Sequence, residues 1–107
     1  MIPEISVQEL QALREADADF MILDVRDAWE YKERNLGGHL IPLKELPNRL
    51  NELDKDKQII VHCQMGGRSS RATAFLMEQG FKNVFNLRGG IQAWAMEIDP
   101  NMPKDSH

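Results

Sequence analysis

The stretch "IIVHCQMGGRSSRA", residues 59–72, decides the fold, and it holds the only cysteine of the 107-residue chain. "QIIVH" is a short apolar run of the kind that forms a strand buried on both faces. "SSRATAFLMEQG" places Ala72, Phe75 and Leu76 on one side of a helix and stops at Gly80. Cys63 begins the glycine-rich loop that joins the two.

Outward from this joint the same alternation repeats. "SVQE" at Ser6–Glu9 is a capping-box pattern ahead of Leu10 and Leu13, which predicts a helix over 7–16. "FMILDV", residues 20–25, is a second buried strand, and "RDAWEYKERN" makes a short helix from Asp27 until "LGGHLIPL" breaks it. Leu46, Leu50 and Leu53 form a helical stripe in "KELPNRLNEL", with Pro47 in its first turn. "NVFNL" is a third strand, Arg88–Gly90 a turn, and "IQAWAMEI" the last helix. The fold class is therefore α/β, a mostly parallel sheet with helices on both faces, in a single domain over residues 1–100. Residues 101–107 are a polar, proline-broken tail, disordered or loosely docked.

The loop has chemistry of its own. Ligands sit outside the C-terminal ends of the strands in such sheets, and Cys63 follows one of those ends. A helix N-terminus carries about half a positive charge, Gly66 and Gly67 let backbone N–H groups converge, and Arg68 adds a permanent cation. Such surroundings lower a cysteine pKa from about 8.5 to roughly 3.5–7.5, so Cys63 is read as a thiolate.

Other residues read as structural. His62 should point to the sheet face opposite Cys63. Asp24 and Arg26 are read as a salt bridge fixing the loop, Trp29 and Trp94 as core, Gly89 and Gly90 as a turn, and the six methionines as core filler. Arg71 and Arg88 either add positive potential near the site or are simply solvated. One cysteine excludes an internal disulfide and suits a reducing compartment, and no Cys/His cluster has metal-ligand spacing. There is no signal-peptide pattern and no run approaching the ~20 apolar residues of a membrane span, so the expected location is cytoplasmic. Thirteen Lys and Arg against seventeen Asp and Glu, net −4, argue against nucleic acid as a partner.

A strand, a cysteine, an arginine-bearing glycine loop and a helix resemble two related groups, separated by loop length. Five residues lie between Cys and Arg in tyrosine-phosphatase, dual-specificity phosphatase and arsenate-reductase loops, and four in rhodanese-like sulfurtransferases. Gln64, Met65, Gly66 and Gly67 make four here. The chain is similar to rhodanese domains also in "DVRDAWEY" (24–31) and "VFNLRGGIQAW" (84–94). "RNLGGHLIPLKELPNRL" (34–50), "HCQMGGRSSRA" (62–72) and "EIDPNMP" (97–103) resemble the C-terminal rhodanese domain of adenylyltransferases that activate ubiquitin-like sulfur carriers.

The resemblance implies a rhodanese-like three-layer fold and sulfane-sulfur transfer. Cys63 would be the catalytic nucleophile carrying a persulfide. Backbone N–H groups of Gln64, Met65, Gly66, Gly67, Arg68 and Ser69 would bind the anionic sulfur, and Arg68 would orient the donor or hold the loop. No metal or cofactor is implied. The implied partners are a small sulfur donor (thiosulfate, polysulfide or a protein persulfide) and an acceptor such as cyanide, a thiol or a carrier protein. A cysteine desulfurase, an adenylyltransferase or a ubiquitin-like carrier stand among them. Gln64 stands where a basic residue often follows the cysteine, which weighs against an anionic donor. The shorter loop suits one added sulfur better than a tetrahedral oxyanion, which disfavours a phosphatase or arsenate reductase. A persulfide relay or protein-binding module is the other alternative.

Overall fold

The structure, a computed structural model, describes residues 1–103, so residues 104–107 of the expected tail lie outside the described residues. Five strands form one sheet in which every pairing is parallel: β1 (Glu4–Ile5), β2 (Phe20–Asp24), β3 (His39–Leu40), β4 (Gln58–His62) and β5 (Val84–Leu87), in the order β1-β5-β4-β2-β3. The α-helices among the described residues are α1 (Val7–Glu15), α2 (Ala28–Glu33), α3 (Gly67–Glu78) and α4 (Gly90–Glu97). α1 starts as its sequence predicts: the Glu9 N–H donates to Ser6 Oγ at 3.1 Å and the Ser6 N–H to Glu9 Oε1 at 2.9 Å.

Alternation along the strands divides the core in two. Ile59, Val61 and Cys63 face one layer with Leu23 and Val25, packed against Ala72 and Leu76 of α3 and against Leu46 and Leu53. Ile60 and Leu87 face the other, packed against Val7 and Leu10 of α1 and Ile91 and Trp94 of α4. Helices thus cover both faces of the sheet. Met102 also packs on this second cluster.

Several local expectations need correction. The two edge strands, β1 and β3, are only two residues each and too short to show a period. The leucine stripe of 46–53 does bury Leu46 and Leu53 and packs Leu50 on the core, but the segment forms two 3-10 helices, Leu43–Asn48 and Leu50–Glu52, and no α-helix. Pro47 lies inside the first and has no N–H to donate to residue 43, which an α-helix there would require. Trp29 is 48% exposed, because Glu30 takes the inward position of the six-residue α2. Met1, Met65, Met77 and Met96 are exposed as well, so the methionines are not generally core; Met21 and Met102 alone pack against it.

The turn at Gly89–Gly90 does more than reverse the chain. The N–H groups of Ile91 and Gln92 in the first turn of α4 donate to the carbonyls of Cys63 and Gln64 at 3.0 and 3.1 Å, fixing the strand exit from behind. Such an approach leaves no room at Gly90, where φ is +62° and an added Cβ would lie 2.5 Å from the Gln64 oxygen and 2.6 Å from that of Cys63. Gly90→Ala is therefore expected to lose about 1–3 kcal/mol or more of stability in urea denaturation. A variant as stable as the parent would contradict this packing account.

Candidate active site

β4 delivers Cys63 to the C-terminal end of the sheet, and the chain bends back over its sulfur. Gly66 adopts φ +118°, where side chains are strained, and α3 begins at the next residue, two positions before the predicted start. The N–H groups of Gly66 and Ser69 then point at Cys63 Sγ at 3.1 and 3.4 Å, and the Ser69 hydroxyl lies 3.3 Å away. Cys63 itself is 2% exposed. It sits at the floor of a cavity of about 440 Å³ lined also by Gln64, Met65, Gly67, Arg68 and Arg71.

Burial alone pushes the Cys63 thiol pKa up, but the Ser69 hydroxyl and the N–H groups of Ser69, Gly66 and Met65 outweigh it, and the net shift is downward. The agents are hydrogen-bond donors. Arg68, expected to add a cation and either to orient the donor or to hold the loop, forms a fork with Glu30: Nη1 to Oε1 at 2.7 Å and Nη2 to Oε2 at 2.8 Å. That pair raises the Arg68 pKa further and lowers that of Glu30, chiefly through the hydrogen bonds themselves. Glu30 Oε1 also accepts the Asp27 N–H at 3.0 Å, so one carboxylate caps α2 and clamps the start of α3.

The predicted site residues thus divide. Met65, Gly66 and Ser69 give donors to the sulfur; Gln64 contributes its carbonyl to α4; among the described residues no bond runs from the N–H of Gln64, Gly67 or Arg68 to Sγ. Arg71 lines the cavity, whereas Arg88 lies elsewhere, on Glu4 at 3.3 Å. Glu30 was missed as the partner of Arg68, although Asp27-x-x-Glu30 is a capping-box spacing legible in the sequence.

Behind the site, Asp24 and Arg26 form the expected ion pair at 2.8 Å, both buried, and Arg26 Nη2 also donates to the Arg34 carbonyl at 2.9 Å. His62 is buried next to them on the face opposite Cys63, with Nε2 3.6 Å from Asp24 Oδ2, and burial holds its pKa low. A further hollow of about 470 Å³ lies along β2 between Arg14, Gly38 and Lys57 and is lined by no cysteine or serine. Among the described residues no helix is long and apolar enough to cross a membrane.

Residues 6–97 match the family described as "Rhodanese-like domain". A protein of Allochromatium vinosum named "Sulfurtransferase" is 36% identical over 96 residues, covering 89% of this chain and 90% of that protein. An Arabidopsis thaliana protein named as an adenylyltransferase and sulfurtransferase is 34% identical over 116 residues, 92% of this chain but 25% of that protein. The crystal structure of a rhodanese-related protein from Thermoplasma volcanium superposes with a TM-score of 0.79 at 32% identity, over 90% of this chain and 93% of that one.

Because the Glu30 carboxyl is held below its usual range, its contribution is intact above about pH 4.3, the midpoint of an unfolded glutamate, and is lost as pH falls through the lower folded value. The pair is partly solvated, so Glu30→Gln is expected to cost about 1 kcal/mol near neutrality and to flatten the acid decline of stability. Urea titrations at a series of pH values measure this. A variant whose stability parallels the parent's at every pH would contradict it.

Proposed function

This chain belongs to the rhodanese-like domain family, and from that premise we propose that it is a sulfurtransferase in which Cys63 carries the sulfur. The Cys63 thiolate attacks the outer sulfur of a donor. The donor's S–S bond breaks, its leaving group departs with the electron pair, and a Cys63 persulfide forms. A second nucleophile then takes the outer sulfur and Cys63 leaves as a thiolate. The observation that carries this reading is the set of donors converging on Sγ from a loop with four residues between Cys63 and Arg68. Met65, Gly66 and Ser69 would hold the inner sulfur, and the N–H groups of Gly67 and Arg68 at the helix start would meet the outer one.

The donor is best a neutral or protein-borne persulfide. Arg68 is neutralised by Glu30, and Gln64 and Met65 carry no charge, so Arg71 is the remaining cation lining the cavity among the described residues. That charge distribution favours transfer between protein partners, such as a cysteine desulfurase, an adenylyltransferase or a ubiquitin-like carrier, over thiosulfate turnover. A chain with one cysteine suits the reducing cytoplasm.

Intact-mass and fragment mass spectrometry after polysulfide treatment should show one added sulfur, on Cys63, that is discharged by a thiol or carrier protein. Cys63→Ser should neither load nor transfer. Transfer by that variant at the parent rate would sink the proposal, as would Cys63-dependent hydrolysis of an aryl phosphate without sulfur loading.

A further inference from the structure

Ser69 has one hydroxyl proton and two neighbours competing for it. Cys63 Sγ lies 3.3 Å from Oγ, and Asn86 Oδ1, on β5, lies 2.5 Å away. At these distances the proton belongs to Asn86, since 2.5 Å is at the short end for an O–H···O bond. The Ser69 oxygen then turns a lone pair toward the sulfur, which suits a thiol and opposes a thiolate.

The orientation of the Asn86 amide is itself fixed. Its Nδ2 donates to Glu4 Oε2 at 3.1 Å, so Oδ1 must face Ser69, and the other Glu4 oxygen takes Arg88 Nε at 3.3 Å. The parallel register sets Glu4 opposite Asn86, which gives the two-residue strand β1 a reason to exist. A chain of contacts thus runs from the buried sulfur, through Asn86 at 2% exposure, to a carboxylate at the surface.

We propose that Asn86, oriented by Glu4, is a positioning residue that withholds the Ser69 hydroxyl proton from Cys63 while the sulfur is protonated and yields it when the sulfur becomes an anion. No bond other than the thiol S–H changes: that proton leaves to solvent, and the hydroxyl rotates from Oδ1 to Sγ. The inference rests on Cys63 being the reactive sulfur. Its readout is thiol acidity, however, so it stands or falls separately from sulfur transfer.

The pH–rate profile of alkylation by iodoacetamide reads this directly, because the chain has one cysteine. Removing the competing acceptor should make Cys63 more acidic. Asn86→Ala, and Glu4→Ala, which frees the amide to turn its N–H toward Ser69, should each shift the profile to lower pH, seen as alkylation about three- to tenfold faster below the midpoint. Both shifts should vanish in a Ser69→Ala background, which itself should be less acidic than the parent. An unchanged or raised midpoint in Glu4→Ala overturns the proposal, as does a shift that persists without Ser69, since that would be a charge effect. If Asn86→Ala does not fold, the Glu4→Ala and Ser69→Ala pair decides alone.

Discussion

The site depends on the convergence of the Gly66 and Ser69 N–H groups on the Cys63 sulfur, at 3.1 and 3.4 Å. A thiolate at 2% exposure is costly to keep out of water unless donors replace the lost hydration. The fold supplies them from the backbone. β4 in the middle of the sheet brings the sulfur to the sheet's C-terminal end, α3 starts four residues beyond Cys63 so that its free N–H groups face back, and α4 holds the carbonyls behind.

The charged residues around the site serve geometry first. Arg68 and Glu30 tie the start of α3 to α2, and Arg26 and Asp24 tie the end of β2 to the chain after α2. With both cations committed to carboxylates, the electrostatic favour toward the sulfur comes from the dipoles of the loop N–H groups and the Ser69 hydroxyl and not from charged side chains. The backbone donors among them are preorganised and cost no rearrangement when charge develops on the reacting atom. The same arrangement leaves little net positive charge for a free anion, which is why the proposed donor is a persulfide held by a partner.

Much of this was legible in the sequence because it is local. The β4–loop–α3 joint, the α1 capping box and the spacing from Cys63 to Arg68 are all contained in short windows, where period and turn chemistry speak directly. The opposite orientations of His62 and Cys63 follow from strand alternation, and the Asp24–Arg26 pair from two residues at one strand end. What escaped was long-range or weakly periodic. Glu30 meets Arg68 across 38 residues, and Asn86 meets Ser69 across 17 and Glu4 across 82. Trp29 has the composition of a core residue, yet its helix turns a carboxylate inward. The leucines of 46–53 keep a helical spacing that 3-10 turns also satisfy.

The central claim is that backbone donors and Ser69 together overcome burial and hold the Cys63 thiol below the ordinary cysteine range. Titrating the ultraviolet absorbance of the thiolate in the full chain, with Cys63→Ser as the blank, tests it most directly. The account predicts a midpoint below the value of about 8.5 for a free cysteine. A midpoint at or above that value would mean that burial wins and the cradle is not built for an anionic sulfur.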